Sequence, residues 1–421
     1  MAHNLDVYLN QELVGVLSQD MHGNMAFQYA DDWLTNTDAF ALSQSVPLRQ
    51  EPFNYRECKG FFGGILPEGD IREIIARKQG ISAKNDVALL RIIGGDCAGA
   101  VTFVPSGEIL PIASMHAPEA LTDEELAGLL RSLPRRPLLA GEEEIRMSLA
   151  GAQSKLAVVV TYGRIYIPRG GTPSTHILKP EITGYSGIVA NEYLCMSLAK
   201  AIGLPTSSVS MHQVDGIYYL LVERYDRTIT NTNCLQRLHQ EDFCQALGIL
   251  SENKYEREGG PTIANSFKLI RDACSIPVNG IAALLDAIIY NYLIGNNDTH
   301  GKNFSLLYQR DSAQKLNTSF APLYDLICTA YYPELSQRMA MKLGGEYDSA
   351  RIYPRHFERL ANENGLSKPG VRRRVQALAA TILSKLPDVT PEHPAGMGVA
   401  ETIRLRCNHT LEIFEKYYKT A

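Results

Sequence analysis

Alternating apolar and polar residues mark the beginning of the chain. Leu5, Val7 and Leu9 occupy every second position, and turn-forming residues follow at Asn10 and around Gly23. Such alternation is typical of half-buried strands, because successive side chains of a strand point to opposite faces. The segment is therefore predicted to form antiparallel strands joined by tight turns.

Apolar residues at helical spacing come next. One short helix is predicted to be capped by Asp70 and to end by Gly80, and another is predicted from Val87 to Ile93. The following GGDCAGAVTFVP returns to a strand pattern, with β-branched and aromatic residues after the glycines. The N-terminal part is therefore predicted to be rich in strands, with two helices inserted.

A proline-flanked stretch at residues 111–144 is predicted to be a helical connector. Thr122 and Glu125 have the spacing of a capping box, in which each side chain satisfies the backbone N–H of the other residue. Beyond the connector the pattern predicts three strands, a helix and two further strands.

These patterns divide the chain into four parts and indicate the α+β class. Residues 1–110 are predicted to form a β-rich subdomain, 111–144 the connector, 145–226 a lobe of strands with one helix, and 227–421 a helical lobe. One hairpin, from Asn303 to Pro322, is predicted to interrupt the helical lobe. At 421 residues the chain exceeds the size at which one core keeps growing, so a cleft between parts is expected.

The overall charge argues against a protein whose whole surface neutralises nucleic acid. The net charge is −5 and the pI is near 6.1. Local basic patches are conceivable at Arg351, Arg355 and His356 and at the run 372–374, although each segment is interpreted first as a solvated face.

Cysteine spacing and hydropathy indicate a reduced, cytoplasmic setting. The eight cysteines lie far apart without a C-x-x-C pair, so neither a disulfide framework nor a zinc site is expected. The N-terminus lacks the pattern of a signal peptide, and no apolar run is expected to approach the roughly 18 residues of a membrane span.

The sharpest chemical signal is Asp298-Thr-His-Gly-Lys-Asn303, which follows an apolar helix and precedes a strand. Phosphoryl transfer needs a carboxylate that accepts the acceptor's hydroxyl proton and an amide oxygen that binds the magnesium bridging the phosphates. Asp298 and Asn303 have these groups, and His300 and Lys302 add donors for phosphate oxygens. The alternative is that residues 296–298 merely cap and turn a polar loop.

Asp325 is a lone carboxylate in the apolar stretch FAPLYDLI. Acids are seldom buried without a partner. A second magnesium ligand would explain this residue, since magnesium prefers carboxylate oxygens together with substrate phosphates and water. An ordinary acid that ends a strand is the alternative.

Two upstream segments carry candidate phosphate contacts. Lys179 ends a predicted strand and Glu192 lies on the next helix, so the two could position phosphates together; otherwise both face solvent. In MSLAGAQSK, the small residues Gly151 and Ala152 would let backbone N–H groups approach phosphates ahead of Lys155. A tight turn before a strand uses the same residues.

The strand LLVERYDR ends where the strand-rich and helical parts meet. Backbone groups around Glu223 and Tyr225 could pair with an adenine edge, because ligand sites favour junctions between units. An ordinary strand at a junction is the alternative.

Eight motifs, in this order and across essentially the whole chain, resemble those of the HipA family of bacterial kinase toxins. They are SLAGAQSK, GGTPSTHILK, LLVERYDR, RLHQEDFCQALG, KYEREGGP, GNNDTHGKNFS, PLYDL and RIYPRHF. The resemblance implies a two-lobed protein-kinase-like fold with an extra β-rich N-terminal subdomain. It also implies ATP and Mg2+ as cofactors and transfer of phosphate to a protein serine.

The resemblance further implies a role for each matching residue. Asp298 would be the catalytic base, Asn303 and Asp325 the magnesium ligands, and Lys179 a contact of the ATP phosphates. Other positions implied for the nucleotide site are Gly151, Ala152, Lys155, Glu223, Tyr225, Gln245, His300 and Tyr324. Ser148 matches the family's autophosphorylation serine, and a phosphate there would repel those of ATP.

The partners implied by the resemblance are a small helix-turn-helix antitoxin, operator DNA reached through that antitoxin, and a protein target in translation such as an aminoacyl-tRNA synthetase. No H-R-D precedes Asp298 and no D-F-G contains Asp325, so activation-loop regulation is not inferred. Two other functions remain open, a nucleotide-binding regulatory protein that transfers nothing and a phosphotransferase for small molecules.

Overall fold

The computed structural model describes residues 3–111, 119–142, 144–229 and 235–419. In chain order the strands are β1 (His3–Leu9), β2 (Glu12–Gln19), β3 (Met25–Tyr29), β4 (Val101–Pro105), β5 (Leu156–Thr161), β6 (Arg164–Tyr166), β7 (His176–Pro180), β8 (Val209–Val214), β9 (Ile217–Glu223), β10 (Arg227–Ile229), β11 (Leu235–Arg237), β12 (His239–Asp242), β13 (Ser305–Arg310), β14 (Leu316–Phe320), β15 (Arg338–Leu343) and β16 (Glu346–Asp348). The α-helices are α1 (Asp31–Thr35), α2 (Tyr55–Gly64), α3 (Gly69–Lys78), α4 (Asp86–Ile93), α5 (Asp123–Ser132), α6 (Ile188–Ala201), α7 (Phe243–Ala246), α8 (Ile263–Ala273), α9 (Pro277–Ile294), α10 (Pro354–Glu363), α11 (Lys368–Val389) and α12 (Pro394–Lys419). The mixture confirms the α+β class.

The chain folds into two compact units. Unit 1 comprises Met1–Pro180, His212–Glu252 and Leu307–Leu316, and unit 2 comprises Glu181–Met211, Asn253–Leu306 and Asn317–Ala421. The predicted boundaries at 110, 144 and 226 do not coincide with this division. They describe subdomains by sequence pattern, and they stay predictions.

Unit 1 is built on two antiparallel sheets that share one hydrophobic core. The first has the order β3-β2-β1-β4, and the second contains β6-β5-β7-β9. Buried side chains run without interruption from Leu5 and Phe27 in the first sheet to Leu178 and Leu221 in the second. The N-terminal strands and the later ones are therefore stabilised by the same buried apolar surface.

The predicted strands and both predicted helices of the N-terminal part are confirmed, but α1 and α2 were not predicted, and one capping residue was wrong. Helix α3 begins at Gly69, and its N-cap is Glu68, which makes no side-chain cap. Asp70, predicted as the cap, lies inside the first turn. Its carboxylate there faces the positive end of the helix dipole instead of a free N–H. The capping box of Thr122 and Glu125 at α5 is confirmed.

The prediction that a single hairpin interrupts the second half is wrong. Besides β13 and β14, the structure contains the strand pairs β10–β11 and β15–β16. Three of these additional strands have only three residues. So short a strand does not complete two periods of alternation, and its pattern cannot be distinguished from that of a loop.

In unit 2, α8, α11 and α12 pack against α9, and α11 and α12 also pack against α6. Among the described helices, α9 alone is long and apolar enough to cross a membrane by length and composition, contrary to the expectation from the sequence. Inside the protein, 56% of α9 is buried. Asp286 of this helix accepts two hydrogen bonds from Arg374. These features are those of a core helix.

Five buried charged residues link distant segments of unit 1. Arg227 contacts Asp96 at 2.8 Å and Asp226 at 3.0 Å. Arg224 forms a two-point contact with Asp226 at 2.7 and 3.0 Å and lies 3.5 Å from Asp96. Arg237 lies 3.3 Å from Asp96. We call these five residues the buried charge network.

Hydrogen bonds to neutral groups complete the network. Asp96 also accepts from the backbone and hydroxyl of Ser174 at 3.1 and 2.6 Å, and Asp226 accepts from the Gly99 backbone at 2.7 Å. Burial alone would raise the pKa of Asp96, but the guanidinium groups around it outweigh burial and hold that pKa well below its usual range. Both carboxylates are therefore ionised and fully partnered.

Another buried acid, Glu241 on β12, has the opposite character. It accepts hydrogen bonds from the hydroxyls of Ser43 and Tyr308 and from the backbone of Gln44 at 3.0 Å. No cation is among these partners, so burial dominates and raises the pKa of Glu241 to about 7. The carboxyl is therefore half protonated near neutral pH.

Replacing Asp96 with Asn should destabilise unit 1 strongly. The substitution keeps the shape but leaves Arg227 and Arg237 facing a neutral amide, and a buried charge without its partner costs about 3–5 kcal/mol. Thermal unfolding monitored by circular dichroism measures the loss. Asp32→Asn, at an exposed position, is the control. If Asp96→Asn lowered the unfolding temperature as little as Asp32→Asn, the stabilising role of Asp96 in the buried charge network would be contradicted.

Replacing Glu241 with Gln should change how stability depends on pH. The wild-type carboxyl has a raised pKa, so its contribution is complete below about pH 4.5 and is lost as pH rises towards about 7. Relative to wild type, the variant should therefore gain up to about 3 kcal/mol of unfolding free energy across this interval and nothing further above it. Unfolding curves between pH 5 and 8 measure the difference, and parallel curves would contradict it.

Candidate active site

The loop that carries Asp298 starts where α9 stops. Gly295 ends the helix in the left-handed conformation, at φ 77°, and its N–H returns to the carbonyls of the last turn. A Cβ at this position would lie 2.8 Å from that of Ala330, so the close approach also requires glycine. The chain thereby leaves the core helix and enters a polar loop at a defined point.

Hydrogen bonds fix the loop on both sides of Asp298. The Asn296 side chain donates to Asn291 at 2.8 Å and accepts from the Asp298 backbone at 3.3 Å. The Asn297 backbone donates to the Thr329 hydroxyl at 2.8 Å. Asn296 and Asn297 therefore help to cap and turn the loop, which is the alternative role considered for residues 296–298. The side chain of Asp298 itself is exposed.

Asn303 and Asp325 meet in unit 2, as their predicted shared role requires. The Asn303 amide donates to the Asp325 carboxylate at 3.2 Å, and its oxygen accepts from the His300 backbone at 3.0 Å. The described residues contain no group of three or more His, Cys, Asp or Glu that could hold a metal. One carboxylate and one amide fit magnesium bound mainly by phosphates and water, provided that the amide turns its oxygen towards Asp325.

Asp325 is held in an unusual backbone conformation. Its φ is 57°, a value that non-glycine residues seldom adopt. The preceding Tyr324 is fixed by hydrogen bonds of its hydroxyl to the Lys302 carbonyl and the Ser305 hydroxyl, at 2.7 and 2.8 Å. Three residues later, the Cys328 backbone is bound by Asn191 of α6. The carboxylate is therefore positioned by its neighbours, and the strain is a mark of functional sites.

The predicted phosphate-binding loop lies in unit 1. Gly151 has φ 100°, and the Lys155 ammonium folds back over it to bond the Ala150 carbonyl. A Cβ on Gly151 would come within 2.9 Å of that ammonium. Ala152 is exposed. Ser148 is wholly enclosed: its hydroxyl donates to the Ile65 carbonyl at 2.9 Å and its exposure is 0%.

Lys179 and Glu192 do not face solvent. Lys179, on β7, is 6% exposed, and Glu192, on α6, is 2% exposed. The alternative that both are surface residues is therefore wrong. Ionic side chains are rarely enclosed unless structure or function requires it. Their mutual pairing stays a prediction.

Three further predicted nucleotide contacts lie in unit 1. Glu223 ends β9 opposite His176 and is exposed, while the Tyr225 hydroxyl donates to the Gln240 side chain. The Gln245 side chain caps its own helix and donates to the Phe61 carbonyl at 3.0 Å. Gln245 is thus already hydrogen bonded through both ends of its amide.

The predicted site residues fall into two groups. Unit 2 brings together Asp298, His300, Asn303, Tyr324 and Asp325 within two short segments. Unit 1 carries Ser148, Gly151, Ala152, Lys155, Lys179, Glu223, Tyr225 and Gln245. Each group is assembled by the local fold of its unit.

The two arginine-rich segments are partly engaged within unit 2. Arg372 lies 3.7 Å above the ring of Tyr418, and Arg374 is paired with Asp286. Arg351 pairs with Asp348 at 3.3 Å. The side chains of Arg351 and Arg374 stay partly exposed in these pairs, so the interpretation of the two segments as solvated faces stays a prediction.

Sequence comparison finds two family matches that together cover most of the chain. The HipA N-terminal domain matches residues 5–104, and the HipA-like C-terminal domain matches residues 147–386. The putative kinase Y4mE of Sinorhizobium fredii is 44% identical over 378 residues, covering 89% of each chain. The serine/threonine-protein kinase toxin HipA of Shewanella oneidensis is 30% identical over 431 residues, covering 97% of this chain and 96% of the relative.

A solved structure has the same fold throughout. It is the Shewanella oneidensis toxin–antitoxin complex of HipA, HipB and operator DNA, which matches with a TM-score of 0.85 and 27% identity over 98% of both chains. The match extends over both the strand-rich and the helical parts. The two-lobed kinase-like architecture expected from the motifs is therefore confirmed.

Proposed function

Since the chain belongs to the HipA family, we propose that it is an ATP- and magnesium-dependent kinase that phosphorylates serine in a protein and arrests growth. The observation that carries this proposal is the contact of Asn303 with Asp325. Asn303 follows Asp298, whose carboxylate is exposed, by five residues in the same loop. A base for the acceptor and a pair of metal ligands are the protein groups that phosphoryl transfer requires.

Asp298 takes the proton of the acceptor serine in this proposal. Its carboxylate is exposed, on a loop whose backbone is fixed by Asn296 and Thr329, so it can meet a protein substrate without rearrangement of the core. Magnesium, bound by Asn303 and Asp325, would neutralise charge on the phosphates. His300 and Tyr324 border these residues and would complete the nucleotide site.

The residues of unit 1 would bind ATP. Lys179 and Lys155 supply cations for phosphate oxygens, and the positive φ of Gly151 turns the backbone sharply enough for N–H groups to approach them, with Ala152 next in the loop. Glu223 and Tyr225 follow the apolar strand β9, where backbone groups would hold adenine. Gln245 supports this region through its bond to Phe61.

Ser148 would be a self-limiting phosphorylation site. Its hydroxyl is enclosed in this conformation, so the loop must open before phosphate can be transferred to it. A phosphoserine carries about −1.5 to −2 charges, which neither the apolar surroundings nor the Ile65 carbonyl can accommodate. The modified loop would therefore stay out of its place, and ATP binding would be lost.

A helix-turn-helix antitoxin is the proposed partner. The support is the Shewanella complex, in which HipA is associated with HipB and operator DNA. The net charge of −5 favours contact with DNA through such a partner over direct binding by the whole surface. The proposed target is a protein of translation, such as an aminoacyl-tRNA synthetase.

Asp298→Asn should abolish phosphate transfer while leaving ATP bound. Removal of a general base lowers the rate by about 10²–10⁴-fold. Transfer from γ-labelled ATP with Mg2+, to the chain itself and to dephosphorylated casein, measures it, and Asp272→Asn on the exposed face of α8 is the control. Equal labelling by wild type and Asp298→Asn would refute the base assignment. If wild type and Asp298→Asn both bind ATP and neither transfers phosphate, a nucleotide-binding regulatory protein would be favoured. If phosphate is transferred only to small molecules, a small-molecule phosphotransferase would be favoured.

Ser148→Asp should lower ATP affinity by at least about tenfold, because the introduced charge cannot occupy the closed loop. Ser148→Ala removes only one hydrogen bond and should bind ATP normally. Calorimetric titration with a non-hydrolysable ATP analogue measures both, and thermal unfolding verifies that both variants fold. Wild-type affinity in Ser148→Asp would contradict the proposed switch.

A further inference from the structure

Tyr255 contacts the proposed catalytic base directly. It lies in the motif KYEREGGP, 43 residues before Asp298 in the chain, and its hydroxyl donates to Oδ1 of Asp298 at 2.8 Å. The Tyr255 ring meets the ring of His300 edge-on, with centroids 5.2 Å apart and planes at 84°. Two residues of the catalytic loop thus contact a side chain outside that loop.

The segment around Tyr255 is folded tightly enough to fix this side chain. The Tyr255 carbonyl accepts the N–H groups of both Glu258 and Gly260 at 2.9 Å. Gly259 adopts φ 95°, and a Cβ on Gly260 would come within 2.4 Å of the Asn253 carbonyl. The turn therefore closes on itself, and Tyr255 projects from a fixed backbone.

The turn is also attached to the catalytic loop by two other routes. The Lys254 carbonyl accepts the N–H of Gly301 at 3.4 Å. The Glu256 carboxylate accepts the backbone N–H of Lys342 on β15 at 2.7 Å, and the same strand donates from Ala340 to the carbonyl of Asn297 at 2.8 Å. The turn, β15 and the catalytic loop form a closed ring of contacts, all within unit 2.

We propose that Tyr255 is the positioning residue of the catalytic base, an inference that rests on the proposed kinase function. An exposed Asp side chain rotates readily about its last torsion angle. The Tyr255 hydroxyl bonds Oδ1 and so fixes the orientation of the carboxylate. An ionised carboxylate has about four lone-pair sites on its two oxygens, so Asp298 can receive the serine proton while Oδ1 remains bound to Tyr255.

The reaction step balances without a proton from Tyr255. The serine Oγ forms a bond to the γ-phosphorus of ATP, and the bond from that phosphorus to the bridging oxygen breaks, leaving its electron pair on ADP. The serine proton passes to the carboxylate of Asp298. Tyr255 keeps its proton throughout and contributes only orientation.

Tyr255→Phe is the direct test, because it keeps the ring on His300 and removes only the hydroxyl. We expect kcat for transfer from γ-labelled ATP to fall about tenfold, and KM for ATP to stay within about twofold, since one hydrogen bond to a charged group is lost at the base and none at the nucleotide. The acceptors are the chain itself and dephosphorylated casein. Tyr162→Phe, the same change at a fully exposed tyrosine, should match wild type.

A double-mutant cycle distinguishes positioning from general support of the fold. In an Asp298→Asn background, measured by single-turnover labelling, Tyr255→Phe should cause almost no further loss, because the group that it orients is already gone. Additive losses would mean that Tyr255 acts elsewhere and would overturn the proposal. A rate increase in Tyr255→Phe would overturn it too, since the hydroxyl would then be blocking the acceptor.

Failure of this inference is distinguishable from failure of the proposed function. Transfer by wild type that Tyr255→Phe leaves unchanged refutes the positioning role alone. A wild-type chain that binds ATP with Mg2+ and transfers no phosphate to either acceptor refutes the kinase function and the positioning role with it.

Discussion

The buried charge network is the constraint on which the rest of unit 1 depends. Asp96 lies just before β4 in sequence, yet it pairs with arginines more than 120 residues further along the chain. The same residue accepts the backbone N–H of Ser148 at 3.0 Å. Asp96 thus joins three segments: its carboxylate pairs with the arginines at and beyond the end of β9, and its backbone carbonyl bonds the loop predicted to face phosphates. If one of the three buried guanidinium groups lost its carboxylate partner, the unpaired buried charge would cost several kcal/mol of unfolding free energy. The network is therefore held in this arrangement.

Unit 2 follows a different principle, in which neutral hydrogen bonds position a few charged groups. Amide and hydroxyl groups hold the polar loop and connect it to the segment between β14 and β15. These groups belong to Asn291, Asn296, Asn303 and Tyr324. The amide and hydroxyl partners fix the geometry of the segments that carry the carboxylates of Asp298 and Asp325. A strained backbone at Asp325 is maintained by this same set of bonds.

Local patterns predicted much of this structure, and long-range partners were the part that they could not predict. Asp298 and Asn303 were recognisable because both lie in one short loop. Tyr255 is 43 residues from Asp298, and a tyrosine in a charged turn has no pattern that announces its contact. Asp96 was a lone acid among glycines, a sign that became meaningful only with Arg224 and Arg227 beside it. Asp70 was misjudged as a cap because its helix begins one residue earlier.

The enclosure of Ser148 has a kinetic consequence. In the proposed switch, a hydroxyl with no exposed surface could be phosphorylated only while its loop is open, so the modification rate would be proportional to the fraction of time that the loop is open. The fraction of phosphorylated molecules would therefore increase with the time during which the loop is able to open. Any partner that holds the loop closed would prevent further phosphorylation.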